Sequence, residues 1–222
     1  PTNSAGGKIE ISEMSFFFNK TTLKKLPPIA MTLDAPVWPK VKPEFLPKDF
    51  TVRGEPYFQG KLIKSEFDLP SGGKHKIFFL RREFQCKAKP VLAWLQYTAD
   101  DEAQVYVNGT EVSRSGNWRI TEVAEVSDCI QQGTDTLAFR YHNSVSAGGV
   151  LGELLILFDD GTTLRIDTDK NFKSHVNAPK GWNKNGFDDS GWTAVLEQAG
   201  PPAPPWTGVK LIYKDYTRPQ KF

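Results

Sequence analysis

No stretch of about 18 apolar residues occurs in the sequence, so no segment has the length of a membrane-spanning helix. Gly-x-Ser-x-Gly, a phosphate loop and a dinucleotide fingerprint are all absent. Their absence removes the best-marked nucleophilic, nucleotide-binding and hydride-transfer chemistries. Charge of one sign is also missing: 28 basic residues against 26 acidic ones leave a net +2, and like charges gather only in pairs such as Lys24-Lys25. A nucleic-acid-binding face needs clustered Lys and Arg, so neither nucleic acid nor a membrane is an expected partner. The three histidines, His75, His142 and His175, stand far apart at unequal intervals, which is not a metal-ligand spacing. Two cysteines, Cys86 and Cys129, leave two readings open: one bridge, or two small core residues. No signal peptide is visible and the chain starts at Pro1, so it reads as a mature or excised form.

What is present points to strands. Sixteen Pro, eighteen Gly and few helical runs in 222 residues predict an all-β chain. Three zones differ in texture. Residues 1–75 hold one strand candidate, "KIEISEMSFFF", and then the Pro-rich "LPPIAMTLDAPVWPKVKPEFLPKDF". Proline blocks both ladder donation and helix, so this zone reads as an extended arm. Residues 76–198 are dense in strand signals. "KIFFLRREFQC" is a long strand carrying Arg81-Arg82. "AQVYVNGTEV" sets Val105 and Val107 against Gln104 and Tyr106, and Asn108-Gly109 suits a type I′ turn. "TLAFRYHN" sets Leu137, Phe139 and Tyr141 against Ala138, Arg140 and His142. "GELLILFDDGTTLRID" reads as a hairpin turning at Asp160-Gly161, its first arm apolar enough to be covered on both faces. "EVSDCIQQGTD" predicts one short helical turn ended by Gly133. Residues 199–222 begin with "AGPPAPPW", a stiff polyproline linker or edge, and their basic-aromatic ending "YKDYTRPQKF" resembles the start of "KIFFLRREF", which suggests the beginning of a second, similar unit.

The order of these signals carries a resemblance. A strand with "RREF" is followed by "YTADDEAQVYVNG", then "GNWRITEVAEVSDCIQQGTDTLAFRYHN", then "GVLGELLILFDDGTTLRIDTDKNFKSH" and "GWNKNGFDDSGW". Over residues 76–198 the chain resembles the galactose-binding-like β-sandwich, an accessory module of bacterial glycoside hydrolases, and is most similar to the N-terminal module of α-L-rhamnosidase-type enzymes. The resemblance implies a jelly-roll-like antiparallel sandwich and a secreted or periplasmic setting. It further implies a non-catalytic carbohydrate-binding or accessory role beside a catalytic domain of the same polypeptide, with an oligo- or polysaccharide as ligand. One fold hosts many functions, so a structural spacer and a glycoside hydrolase in its own right stay open.

Six residues are candidates for the site. Asp100 and Asp101 are adjacent acids at a strand end. Sequence neighbours on a strand point to opposite sides, which does not suit carboxylates acting about 5–9 Å apart across a glycoside. As oxygen ligands for a hard cation they fit better, and the resemblance implies a calcium-assisted sugar site at the matching position. The bland alternative is that Asp100 caps its loop through backbone N–H groups. His142 and Asn143, in "YHNS", can donate to and accept from a sugar diol, or form a satisfied loop pair. The resemblance places them beside the acidic loop. Trp118 and Trp182 lie in Gly/Asn-rich loops, where binding residues sit on rigid scaffolds. Each presents a flat apolar face to a pyranose or packs beneath its loop. Trp94 and Trp192 are expected in the core, and Trp38 and Trp206 as clamps on the sandwich surface. In "FDDSGW", Asp188 is expected to turn back on backbone N–H groups while Phe187 and Trp192 plug the end of the sandwich.

Overall fold

The computed structural model describes residues 58–69, 75–144, 148–207 and 211, with the backbone of three short strands at 51–52, 55–56 and 212–213. The strand candidate "KIEISEMSFFF", the Pro-rich arm to residue 50 and Trp38 lie outside the described residues. Fifteen strands are described: β1 (Thr51–Val52), β2 (Glu55–Pro56), β3 (Leu62–Lys64), β4 (Ile77–Cys86), β5 (Pro90–Asp100), β6 (Glu102–Val107), β7 (Thr110–Ser115), β8 (Ile120–Glu125), β9 (Gly133–His142), β10 (Gly149–Phe158), β11 (Thr163–Asp167), β12 (Lys173–His175), β13 (Thr193–Ala194), β14 (Leu196–Gln198) and β15 (Ile212–Tyr213).

Period-two alternation builds two facing sheets from them. One runs β14-β3-β10-β5-β8-β15, with β11 also on β10; the other runs β13-β12-β4-β9-β6-β7. Pairing is antiparallel except between β15 and β8. From β4 the side chains of Phe78, Leu80 and Phe84 enter the core, from β6 Val105 and Val107, and from β9 Leu137, Phe139 and Tyr141. They meet Ala93, Leu95, Tyr97 and Ala99 of β5 and Val150, Leu154, Ile156 and Phe158 of β10. Burying each large side chain contributes about 1.5–3 kcal/mol. The chain is therefore an all-β sandwich, as the alternation predicts, with the jelly-roll-like form that the resemblance implies.

Local expectations fare well. Asn108 (φ 51°) and Gly109 (φ 86°) take the two positive-φ positions of the β6–β7 turn. The Asn108 amide also donates to Cys129 O (2.7 Å) and Asp135 Oδ1 (2.5 Å), locking the turn onto the 3-10 turn before β9 and onto the start of β9 itself. Every residue of β10 is buried, between β5 on one flank and β3 and β11 on the other. Asp188 Oδ1 accepts from Ser190 N (3.0 Å), the expected turn. Cys86 and Cys129 are both free thiols, so the bridge does not form.

Four expectations change. The helical turn is a 3-10 turn at Ser127–Cys129 that ends at extended Ile130, well before Gly133, which opens β9. The sandwich reaches upstream of residue 76, because β3 adds to β10 and buries Leu62 and Ile63 completely. The segment after β14 is not a stiff extended linker: it makes two turns, Ala203 N to Gly200 O (3.1 Å) and Trp206 N to Ala203 O (2.9 Å). Those turns drive Trp206, fully buried, against Leu62, Leu151 and Leu211, so it clamps the sheet as expected. Phe187 and Trp192 do not plug an end. They lie with Trp182 on Phe79, Tyr106 and Ala138, which point away from the core because Phe78, Val105, Leu137 and Phe139 point into it. Arg81, on that same outer face, fixes their loop by ion pairs to Glu83 (2.7 Å) and Asp189 and by donating to Lys184 O and Phe187 O.

Candidate functional site

At Asp101 the chain leaves β5 in one sheet and enters β6 in the other, so the acidic pair sits where one end of the sandwich is crossed. The end of β9 arrives at the same place: Asp101 N donates to His142 O (2.9 Å). Ser144 donates to Asp101 Oδ2 through its backbone N–H (2.8 Å) and its hydroxyl (2.5 Å). The start of β10 comes close as well, with Gly149 opposite Asp100. Gly149 has φ 140°, and a Cβ there would stand 2.6 Å from Ile63 O, so only glycine fits.

Beneath the acidic pair lies a buried network that the sequence did not advertise. Asp68, in the turn after β3, accepts from Tyr141 Oη (2.9 Å) and from Asn143 Nδ2 (2.7 Å). Tyr141 Oη in turn accepts from Ser65 N (3.0 Å), and Lys64 Nζ donates to Asp68 O (2.8 Å). Asn143 N donates to Lys76 O (3.0 Å), and Lys76 Nζ donates to Ser144 O. Asn143 is thus built into the rim from below, by a residue 75 positions away. Asp68 has no periodic signal because it lies in a turn, and its partners meet it only in three dimensions.

The two acids titrate apart. Burial, then the hydrogen bond and charge of Asp101, then the charge of Asp68, push Asp100 up from 3.8 to about 7. For Asp101 burial pushes upward too, but the two Ser144 hydrogen bonds, the bond from Asp100 and the nearby His142 outweigh it and lower its pKa. Neutral Asp100 therefore donates to ionised Asp101 at mildly acidic to neutral pH. The pair is joined by that bond, which rules out the wide separation of a glycosidase pair between these two.

Of the six predicted residues the structure gathers four, Asp100, Asp101, His142 and Asn143. Trp118 lies over the outer face of the first sheet, where its carbonyl accepts from Thr98 Oγ1 (3.0 Å) and Trp206 Nε1 (2.7 Å). The Arg119 guanidinium stands 4.9 Å from its ring centroid. Trp182 lies on the opposite sheet at 8% exposure, stacked on Trp192 and edge-on to Phe79 and Tyr106. Among the described residues no group of three or more His, Cys, Asp or Glu is placed to hold a metal ion. Asp100 and Asp101 alone supply two of the six to eight oxygens that calcium takes.

No family model matches the sequence, and no curated protein matches it significantly. Solved structures do. An α-L-rhamnosidase of Streptomyces avermitilis, complexed with L-rhamnose, matches with TM-score 0.64 and 28% identity over 75% of this chain and 17% of its own. A lectin of Pleurotus ostreatus matches in its apo form with TM-score 0.61 and 22% identity over 66% of this chain and 43% of its own. The same lectin in complex with GalNAc matches with TM-score 0.55 and 24% identity over 64% of this chain and 45% of its own. This chain therefore spans less than half the length of each of these. Its likeness to them is structural, and its fold is that of the galactose-binding-like β-sandwich module that the ordered motifs resemble.

Proposed function

We propose that this chain is a glycan-binding accessory module of a carbohydrate-active enzyme, taking sugar hydroxyls at the rim around Asp100, Asp101, His142 and Asn143. The observation that carries the reading is the convergence of β5, β9 and β10 on that rim. Ionised Asp101 and the His142 ring stand there partly exposed, and Asn143, buried with its Nδ2 given to Asp68, supports them from beneath. Such preorganised donors and acceptors suit the paired hydroxyls of a sugar. Phe67 and Leu69, 41% and 51% exposed, flank Asp68 and offer apolar surface for a sugar's C–H face. The rhamnose and GalNAc complexes of the structural neighbours support the same class of ligand. The partners in this reading are an oligo- or polysaccharide and a catalytic domain of the same polypeptide, in a secreted or periplasmic setting. Calcium, if used, takes Asp100 and Asp101 and completes its sphere with glycan and water oxygens.

Isothermal titration against plant and algal oligosaccharides, with and without EDTA, tests this. At least one glycan is expected to bind, and Asp101→Ala and Asn143→Ala to weaken it about tenfold or more. Loss on EDTA treatment assigns calcium to the site; EDTA-insensitive binding removes calcium and keeps the glycan. The absence of heat with every glycan removes the binding role.

One observation favours a second reading, a spacer without ligand that packs on a catalytic domain: Trp182 is buried and offers no free ring. Acrylamide quenching that finds every Trp shielded, together with a silent titration, would install the spacer instead. Release of reducing sugar by this chain alone would promote a hydrolase in its own right.

A further inference from the structure

The outer face of the six-stranded sheet carries a hollow that the rim does not use. It is lined by Glu102, Ala103, Gln104, Arg114, Ser115 and Arg140 and encloses about 60 Å³. Its floor is set by strand register: Arg140 of β9 stands opposite Gln104 of β6, which stands opposite Arg114 of β7. The side chains are tied in a row. Arg140 Nη1 donates to Gln104 Oε1 (3.0 Å), and Gln104 Nε2 donates to Glu111 Oε2 (3.2 Å). Arg114 donates twice to Glu111 Oε1, at 3.1 and 2.9 Å. Arg114 is therefore neutralised by Glu111. Arg140 is not: among the described residues no carboxylate lies within ion-pair distance of it. It is half-buried, and of its five guanidinium donors one is described as bonded, to a neutral amide. Beside it Phe79 of β4, opposite Arg140, and Tyr106 carry the Trp182 ring at 5.0 and 5.6 Å.

A half-desolvated guanidinium with no carboxylate in ion-pair contact can take an anion, because charge-assisted bonds are strongest where water is partly excluded. Ligand pockets that enclose a whole small molecule run to about 300–1,000 Å³. This hollow admits a substituent instead, with the rest of the ligand lying across the sheet towards the aromatic group. We propose that Arg140, held by Gln104, is a subsite for the acidic substituent of a glycan, a uronate carboxylate or a sulfate ester. The inference rests on the glycan-binding reading and adds to it the charge class of the ligand. Glu102, exposed at the margin of the hollow, limits the gain and tunes it.

The test compares acidic and neutral partners of the same backbone by isothermal titration. Oligogalacturonate is set against its carboxyl-reduced form, and a sulfated galacto-oligosaccharide against its desulfated form. The wild-type protein is expected to prefer at least one acidic partner on the order of tenfold at low salt, with the preference falling as salt rises. The pair that shows the preference distinguishes carboxylate from sulfate. Arg140→Gln is expected to abolish the preference, Arg140→Lys to keep part of it, and Glu102→Gln to increase it. Thermal melts confirm that each variant is folded, and Arg140→Lys, which retains the charge, separates lost charge from lost packing. Asp101→Ala reads the rim independently. Neutral binding that depends on Asp101 without any acidic preference overturns the subsite and leaves the rim. Acidic binding that depends on Arg140 but not on Asp101 sustains the subsite and overturns the rim. An acidic preference unchanged in Arg140→Gln, or no binding of any acidic glycan, also overturns the subsite.

Discussion

Replacing Asp100 with Asn should make the protein more stable at pH 8 than at pH 5, relative to wild type. Burial and the neighbouring acids raise the Asp100 carboxyl from 3.8 to about 7. The folded protein therefore holds this proton more tightly than the unfolded chain does. The resulting stability is fully present below about pH 3.8 and is lost as pH rises to about 7, because the unfolded chain ionises first. At 1.36 kcal/mol per unit, wild type loses roughly 3 kcal/mol between pH 5 and pH 7 and above. Asn at this position cannot ionise, and its amide can still donate to Asp101 as the protonated acid does. Asp101, whose own pKa is lowered, contributes in the opposite sense, and only below its ordinary range, outside this window. For a domain of this size each kcal/mol moves Tm by about 2–4 °C, so the Tm difference between Asp100→Asn and wild type should widen by roughly 6–12 °C from pH 5 to pH 8. Circular-dichroism melts of both proteins across that range measure it. A difference that stays constant with pH, or narrows, would refute the buried, proton-sharing pair.

Three further outcomes are expected. Trp206→Ala should cost about 3–5 kcal/mol in urea unfolding, because it empties a fully buried site between Leu62, Leu151 and Leu211; a loss under 1 kcal/mol would mean that the final turns do not seal the sheet. Asp189→Ala should cost about 3–5 kcal/mol, since it strips a partner from fully buried Arg81 and from Lys173, and near-wild-type stability would contradict the buried ion pair. With a thiol reagent at pH 8, half-buried Cys129 should react before Cys86, whose thiol burial and then Asp135 push up to about 12; equal rates in the native protein would refute that.

How far the sequence could be read depended on the range of the interaction. Asn108-Gly109 was legible because one dipeptide supplies both positive-φ residues. β10 was legible because a run apolar at all but Glu153 leaves no wet face. The meeting of Asp100, Asp101, His142 and Asn143 was implied by the family resemblance and not by any local pattern, since the ends of β5 and β9 meet only in three dimensions. Asp68 was not legible, because a turn residue has no period and its bond to Asn143 spans 75 positions. Trp182 illustrates the opposite failure: its Gly/Asn-rich loop suggests a presented ring, but loop composition does not record that Trp192, Phe79 and Tyr106 already surround it. The proline-rich ending misled in the same way, because proline fixes φ without fixing direction, and Trp206 decides where the segment goes.

That tryptophan has a mechanical consequence. Proline-rich turns alone would leave the segment after β14 free to lift off the sheet. Here the polypeptide departs instead from a bolt sunk into the sheet, with the indole N–H fastened to Trp118 O at 2.7 Å. The turns at 200–206 thus keep a fixed bearing on the sheet whose β5 ends at Asp100, and one indole ring, not the prolines around it, sets that bearing.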